Sequence, residues 1–222
     1  MPGKTAILIG ATGLVGGHLL QLLLASPVYS KVIAVSRRPV AVSHKKLVRV
    51  ETGSFDLLPS ALEGLKADDA FCCLGTTIRQ AGTKAEFHKV DYGYALEFAH
   101  SALRSGARHL LLVSAIGADA RSPVFYNRVK GLLEKEVSAL GFKYVSIFRP
   151  SLLVGDRVES RPGEAIGIRL TALLAPFLRG PLRNMHPING AEVASAMVAV
   201  AESPAAGKTC IYRYDDMQAK LA

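Results

Sequence analysis

Three glycines spaced three apart, in Gly10-Ala11-Thr12-Gly13-Leu14-Val15-Gly16, stand between the short apolar run Thr5–Ile9 and the helical pattern His18–Ala25. A chain that passes from strand to helix through so few residues must turn tightly. The first glycine supplies the turn, the second lets backbone approach a ligand, and the third lets helix and strand pack closely. At such a turn the unpaired amides and positive dipole of the helix start face outward together, which suits a diphosphate.

The rest of the chain repeats the alternation. Lys31–Ser36 and Ala70–Leu74 are continuous apolar runs and read as buried parallel strands, whereas Leu47–Val50, interrupted by Arg49, reads as a strand nearer the sheet edge. His109–Ser114 and Tyr144–Phe148 complete six strands. The intervening helices are a short one in Leu58–Leu65, a long one over Lys84–Ser105 with Phe87, Val90, Tyr94, Phe98 and Leu103 at helical spacing, and one over Phe125–Leu140 closed by Gly141. Strands and helices in this order predict an α/β fold, an open doubly wound parallel sheet. The 222 residues fit a single domain, in which 151–222 form a small substrate-side extension and closing elements: helices over Glu164–Leu178 and Ala191–Ala201, and a last strand, Thr209–Tyr212.

Composition narrows the function. Half the residues are apolar and a fifth charged, the balance of a compact soluble protein. A net charge of +9 attracts anions, but the basic residues are dispersed, with short clusters only at Arg37-Arg38 and Lys45-Lys46, so a nucleic-acid surface is not expected. The apolar stretches 19–25 and 170–178 fall short of the roughly 20 residues of a membrane-spanning helix, so no membrane span is expected. A cytoplasmic location is the default reading. Cys72, Cys73 and Cys210 form no C-x-x-C and lie near no histidine cluster, so they read as inert thiols and no metal is expected.

The residues that end the second strand decide which dinucleotide fits. A carboxylate there accepts hydrogen bonds from a ribose 2′-hydroxyl; this chain instead has Ser36-Arg37-Arg38, and guanidinium groups pair with a 2′-phosphate. NADP(H) is therefore preferred over NAD(H). The cofactor set comprises Gly10, Thr12, Gly13, Leu14, Val15 and Gly16 at the turn, Ser36, Arg37 and Arg38 at the second strand, and Leu74, Gly75 and Thr76 at the end of the fourth. Asp56 either meets the adenine amino edge or caps its own loop.

Ser114 ends the fifth strand, Tyr126 follows near a helix start, and Lys130 lies one helical turn later on the same face. A phenol ordinarily titrates at about 10, and a neighbouring ammonium favours its phenolate. Tyr126 then reads as the acid/base of a hydride transfer to or from a small carbonyl or alcohol substrate. Ser114 would hydrogen-bond the substrate oxygen, and Lys130 would assist Tyr126 and hold the nicotinamide ribose. Thr76–Thr83, with Thr77, Arg79 and Gln80, reads as a loop that leaves the sheet at its cofactor end on the substrate side; Arg79 in it and His186 are further pocket candidates, each with a plain structural alternative.

These pieces, with Cys73-Leu74-Gly75-Thr76-Thr77, Val90-Asp91, Leu112-Val113-Ser114-Ala115, Tyr126-Asn127-Arg128-Val129-Lys130-Gly131 and Arg149-Pro150-Ser151-Leu152-Leu153-Val154-Gly155, resemble the atypical or extended short-chain dehydrogenase/reductases. The resemblance is closest to the Tat-interacting 30-kDa protein (CC3) group and its bacterial relatives. It implies a Rossmann-type sheet, NADP(H) at the glycine turn and at Ser36–Arg38, and a Ser114, Tyr126, Lys130 active site. Enzymes of the wider superfamily often carry asparagine in the long helix, where this chain has Asp91. The group's regulatory members keep open a second reading, an NADP(H)-binding sensor with little turnover and a protein partner. The apolar stripe over Ile168–Leu178, which either covers a pocket or forms a subunit contact, keeps open a homo-oligomer.

Overall fold

The computed structural model describes residues 3–155, 180–205 and 207–221. Its main sheet has the order β3-β2-β1-β4-β5-β6-β9 with every neighbouring pair parallel. The strands are β1 (Lys4–Ile9), β2 (Tyr29–Ser36), β3 (Leu47–Glu51), β4 (Asp69–Cys72), β5 (His109–Val113), β6 (Tyr144–Phe148) and β9 (Thr209–Tyr212). This is the doubly wound Rossmann-type sheet, with Leu47–Glu51 at one edge, where the interrupted pattern placed it. The strand order reverses between β1 and β4, so a crevice opens at their carboxyl ends, the place where such sheets bind ligands.

Both faces are covered. Helices α1 (Leu14–Ala25) and α7 (Gly190–Glu202) bury Leu19, Leu20, Leu23, Val193, Met197 and Val200 against one side of the sheet. Helices α2 (Leu58–Ala61), α5 (Ala95–Arg104) and α6 (Phe125–Ala139) bury Leu58, Phe98, Ala102, Leu133 and Val137 against the other. The start of α7 is fixed by a reciprocal cap, in which Asn189 accepts from the Ala191 amide and Glu192 accepts from the Asn189 amide. The two-residue strands β7 (Leu153–Val154) and β8 (Ile188–Asn189) pair at this end, and the short α8 (Tyr214–Gln218) follows β9.

Two expectations need correction. The segment over Lys84–Ser105 is not one α-helix: α4 (Lys84–His88) passes into a π-helical stretch, Lys89–Tyr94, before α5 begins. The wider turn brings Asp91 fully inside, and such bulges mark functional positions. The segment Thr76–Thr83 is not all loop, because Thr77 caps a short helix, α3 (Ile78–Ala81), through the Gln80 amide. The expected helix over Glu164–Leu178 lies outside the described residues. Among the described residues no helix is long and apolar enough to cross a membrane.

Candidate functional site

The glycine turn is built so that side chains cannot replace its hydrogens. Gly10 sits at φ +86°, and a Cβ there would lie 2.5 Å from the Cys73 carbonyl oxygen, so the turn presses against the end of β4. A Cβ on Gly16 would come within 2.1 Å of the Gly10 carbonyl oxygen. Gly13 donates its amide to that same oxygen at 3.0 Å and is extended as it enters α1. Helix α1 has no side-chain cap and no acidic residue in its first turn, so the amides of Leu14, Val15 and Gly16 stay available for an anion. This cradle of backbone is what a diphosphate requires, and a dinucleotide fits it.

Sequence reasoning missed what holds the head of α1. A Cβ on Gly190 would meet Leu14 Cγ at 2.6 Å and one on Gly155 would meet Leu14 Cδ1 at 3.0 Å, so the β7–β8 region seats the Leu14 side chain. Gly155 closes the Arg-Pro-Ser-Leu-Leu-Val-Gly stretch, a glycine that sequence alone does not tie to Leu14.

At the end of β2, Arg37 and Arg38 are exposed. The Arg37 guanidinium lies over the Phe55 ring, 5.3 Å from its centroid, which braces a cation where a 2′-phosphate would arrive. Ser36 is buried, and its hydroxyl donates to the Arg38 carbonyl at 2.7 Å, tightening that turn. The Asp56 carboxylate accepts from Ser54 at 2.8 Å, from the Tyr94 hydroxyl at 3.0 Å and from Lys89. Those hydrogen bonds, Ser54's foremost, hold Asp56 below the usual carboxylate range. Thr12 is exposed on the turn.

Beyond β4 the chain meets α6 and the π-helical stretch. The Lys130 ammonium is 2.7 Å from Asp91 Oδ1, with side-chain exposures of 4% and 0%. Asp91 Oδ2 accepts from the Thr76 amide at 2.9 Å. Both charges flank Gly75, where a Cβ would stand 3.7 Å from Asp91 Oδ1 and 3.8 Å from Lys130 Nζ. Burial works against the ammonium most strongly, yet the attraction of Asp91, then of Tyr126, and the Asp91 hydrogen bond together hold Lys130 above its ordinary value. Tyr126, half-buried one turn earlier, packs its ring 5.4 Å from that of Phe87. Leu74 is buried and Cys72 is pushed up to about 11 by burial, so this thiol stays protonated.

Ser114 lies at the end of β5, but its hydroxyl donates to Glu134 Oε1 at 2.5 Å. Glu134 is gripped in turn by Arg149, Nε to Oε1 at 3.0 Å and Nη2 to Oε2 at 2.5 Å. Tyr126, Lys130 and Glu134 thus occupy successive turns of one face of α6, and Ser114 is joined to the last of them. Glu134 and Arg149 were missed, although the i,i+4 spacing from Lys130 was visible. The position of α6 depends on Gly131, where a Cβ would meet the Ala120 amide at 2.2 Å. His186 stacks on Tyr214 with ring centroids 5.4 Å apart, and Arg79 is exposed on α3. Among the described residues no three potential ligands gather to hold a metal.

Comparison with known proteins gives the family and the fold. A family described as NAD(P)H-binding matches residues 10–204. Protein FMP52-1, mitochondrial, of Scheffersomyces stipitis is 37% identical over 202 residues, 89% of this chain and 88% of its own length. Protein HTATIP2 of Rattus norvegicus is 39% identical over 167 residues, 74% of this chain and 69% of its own. Among solved structures, the human epimerase family protein SDR39U1 with NADPH superposes with a TM-score of 0.65 at 16% identity, covering 93% of this chain and 73% of that one, a likeness of fold. The expectation of a cytoplasmic location is overturned, because fungal relatives carry a mitochondrial location in their names. An organellar address is read by import receptors and leaves no trace in the core pattern from which location was judged.

Proposed function

We propose that this chain, which belongs to the NAD(P)H-binding family and is closely related to the Tat-interacting 30-kDa protein group, works as an NADP-dependent oxidoreductase on a small carbonyl or alcohol. One observation carries the reading: the buried Lys130 ammonium lies beside Gly75, at the carboxyl edge of β4, and interacts electrostatically with Tyr126, one helical turn before it on α6. NADPH, when bound, supplies the hydride that a carbonyl carbon accepts. Tyr126 gives its hydroxyl proton to the substrate oxygen in that direction, takes one back in alcohol oxidation, and is restored by exchange with water. Lys130, fixed by Asp91, keeps a positive charge beside the phenol and meets the nicotinamide ribose. The amides of the Gly10–Gly16 turn hold the diphosphate, and Arg37 and Arg38 receive the 2′-phosphate, which favours NADP(H) over NAD(H). A contact from Ser114 to substrate requires its hydrogen to turn away from Glu134.

The test pairs binding with turnover. Tyr126→Phe is expected to keep NADPH affinity and lose substrate-dependent NADPH oxidation by about 100-fold or more. Arg37→Asp is expected to weaken NADPH much more than NADH. Equal affinity of the wild type for both nucleotides would refute the phosphate assignment, and an active Tyr126→Phe would refute the acid/base assignment. The engagement of Ser114 by Glu134 favours one second reading, an NADP(H)-binding sensor. Tight binding without turnover over a broad carbonyl panel, and a partner affinity that changes with cofactor, would identify it.

A further inference from the structure

Lys130 and Asp91 form a closed charge pair at the end of β4, 2.7 Å apart and almost wholly withdrawn from solvent. The groups acting on Lys130 are Asp91 from the π-helical stretch, Tyr126 from its own helix and Cys72 from β4. Cys72 is protonated, so the pair sums to zero charge. The Thr76 amide, donated to Asp91 Oδ2 at 2.9 Å, fixes the carboxylate against the strand end. An amide side chain at position 91 would accept the same hydrogen bond and leave the site with a full positive charge.

That difference matters because the two forms of a nicotinamide ring differ by one charge. The oxidised ring is cationic and the reduced ring is neutral. A positive site penalises the first and not the second, and burial makes the penalty large because little water intervenes.

We propose that Asp91 sets the oxidation-state preference of the cofactor site, cancelling the charge of Lys130 so that the oxidised nucleotide binds far better than it would beside an unpaired ammonium. This rests on the reading of Gly75, Thr76 and Lys130 as the nicotinamide end of the site. Asp91 acts through Lys130 and is a positioning residue.

The experiment is calorimetric titration of the full chain with NADP+ and with NADPH, read as the ratio of the two dissociation constants, so that a general loss of affinity cancels. Asp91→Asn is expected to shift the ratio against NADP+ by roughly tenfold. Asp91→Asn/Lys130→Met removes both charges and is expected to bring the ratio back to within about twofold of wild type. An unshifted ratio in Asp91→Asn, or a double variant that keeps the shift of the single one, overturns the proposal. Should Asp91→Asn be recovered unfolded, Lys130→Met at alkaline pH tests the same idea with opposite sign: its remaining carboxylate moves the ratio toward NADP+, and no movement overturns it. If the wild type binds neither nucleotide, the proposed function fails and this inference with it; binding of both with an unmoved ratio sinks this inference alone.

Discussion

Alanine in place of Gly16 and alanine in place of Gly17 are neighbouring changes in one helix with opposite expected outcomes. At Gly16 the new methyl would sit 2.1 Å from the Gly10 carbonyl oxygen and 2.7 Å from its carbon, backbone atoms that are themselves pressed against Cys73. At Gly17 the nearest atom is the Ala11 carbonyl oxygen at 3.7 Å, an ordinary contact. Relief at Gly16 requires the turn and α1 to part, a form of overpacking that costs about 1–3 kcal/mol, or a fall of roughly 3–10 °C in Tm for a chain of this size. At Gly17 the helix gains about 0.5–1 kcal/mol from the lower entropy of the unfolded chain. Thermal unfolding followed by circular dichroism measures both, and NADPH titration supplies the functional half. Gly16→Ala is expected to lose NADPH affinity by about 10-fold or more, because the amides that receive the diphosphate move with the turn. Gly17→Ala is expected to keep it. If Gly16→Ala retained both stability and affinity, the close approach of α1 to the turn would not be what forms the site.

Three further expectations follow from particular contacts. His109, buried and hydrogen-bonded to Ser146 at 2.9 Å, is held down to about 4, by burial first and by Lys4 second. A depressed folded value means stability that is complete above the unfolded value of about 6.5 and is lost as pH falls toward 4, about 2 kcal/mol of it by pH 5. Urea unfolding at pH 7.5 and 5 should show that loss in wild type and a smaller one in His109→Gln. Asp69, opposite His109 in the sheet register, is raised by its own burial and acts in the other direction, but it contributes equally to both proteins and leaves their difference intact; parallel losses would refute the His109 argument. Ser114→Ala removes one hydrogen bond from Glu134 and leaves Arg149 in place, so it should cost about 1–2 kcal/mol of stability and less activity than Tyr126→Phe, as steady-state kinetics would report. Gly190→Ala drives a methyl to 2.6 Å from Leu14 Cγ and should weaken NADPH binding several-fold while Tyr126 and Lys130 remain undisturbed, which titration and the chemical step measured at saturating cofactor would separate.

The sheet was legible because its signals are local. Continuous apolar runs became the inner strands, the run broken by Arg49 became the edge, and Thr209–Tyr212 is the last strand, which the fold sets at the other edge beside β6. The glycine turn was legible as a spacing, residues 10, 13 and 16 between a strand and a helix, although what presses on Gly10 is Cys73 at the end of β4. What escaped depends on contacts between distant segments. Nothing near Gly155 or Gly190 in sequence reveals that both seat Leu14, and Glu134 looks like any helix-surface acid until Ser114 and Arg149 close on it.

The broken helix shows how such a contact overrides a pattern. Regular α-helical spacing from Phe87 selects Val90 and Tyr94 as the inward residues, and neither is fully buried; Asp91 and Ala95 are. Steps of four, from 87 to 91 to 95, suit a turn wider than 3.6 residues, and the π-helical stretch over Lys89–Tyr94 provides it. The wider turn carries Asp91 to the Lys130 ammonium, and among the described residues Asp91 is the carboxylate paired with it. A buried ammonium left alone is far more costly than a buried pair. The helix therefore departs from its preferred geometry where a distant charge is met, which is why the apolar period failed there; Phe98 is buried again, with Leu103 half-buried after it.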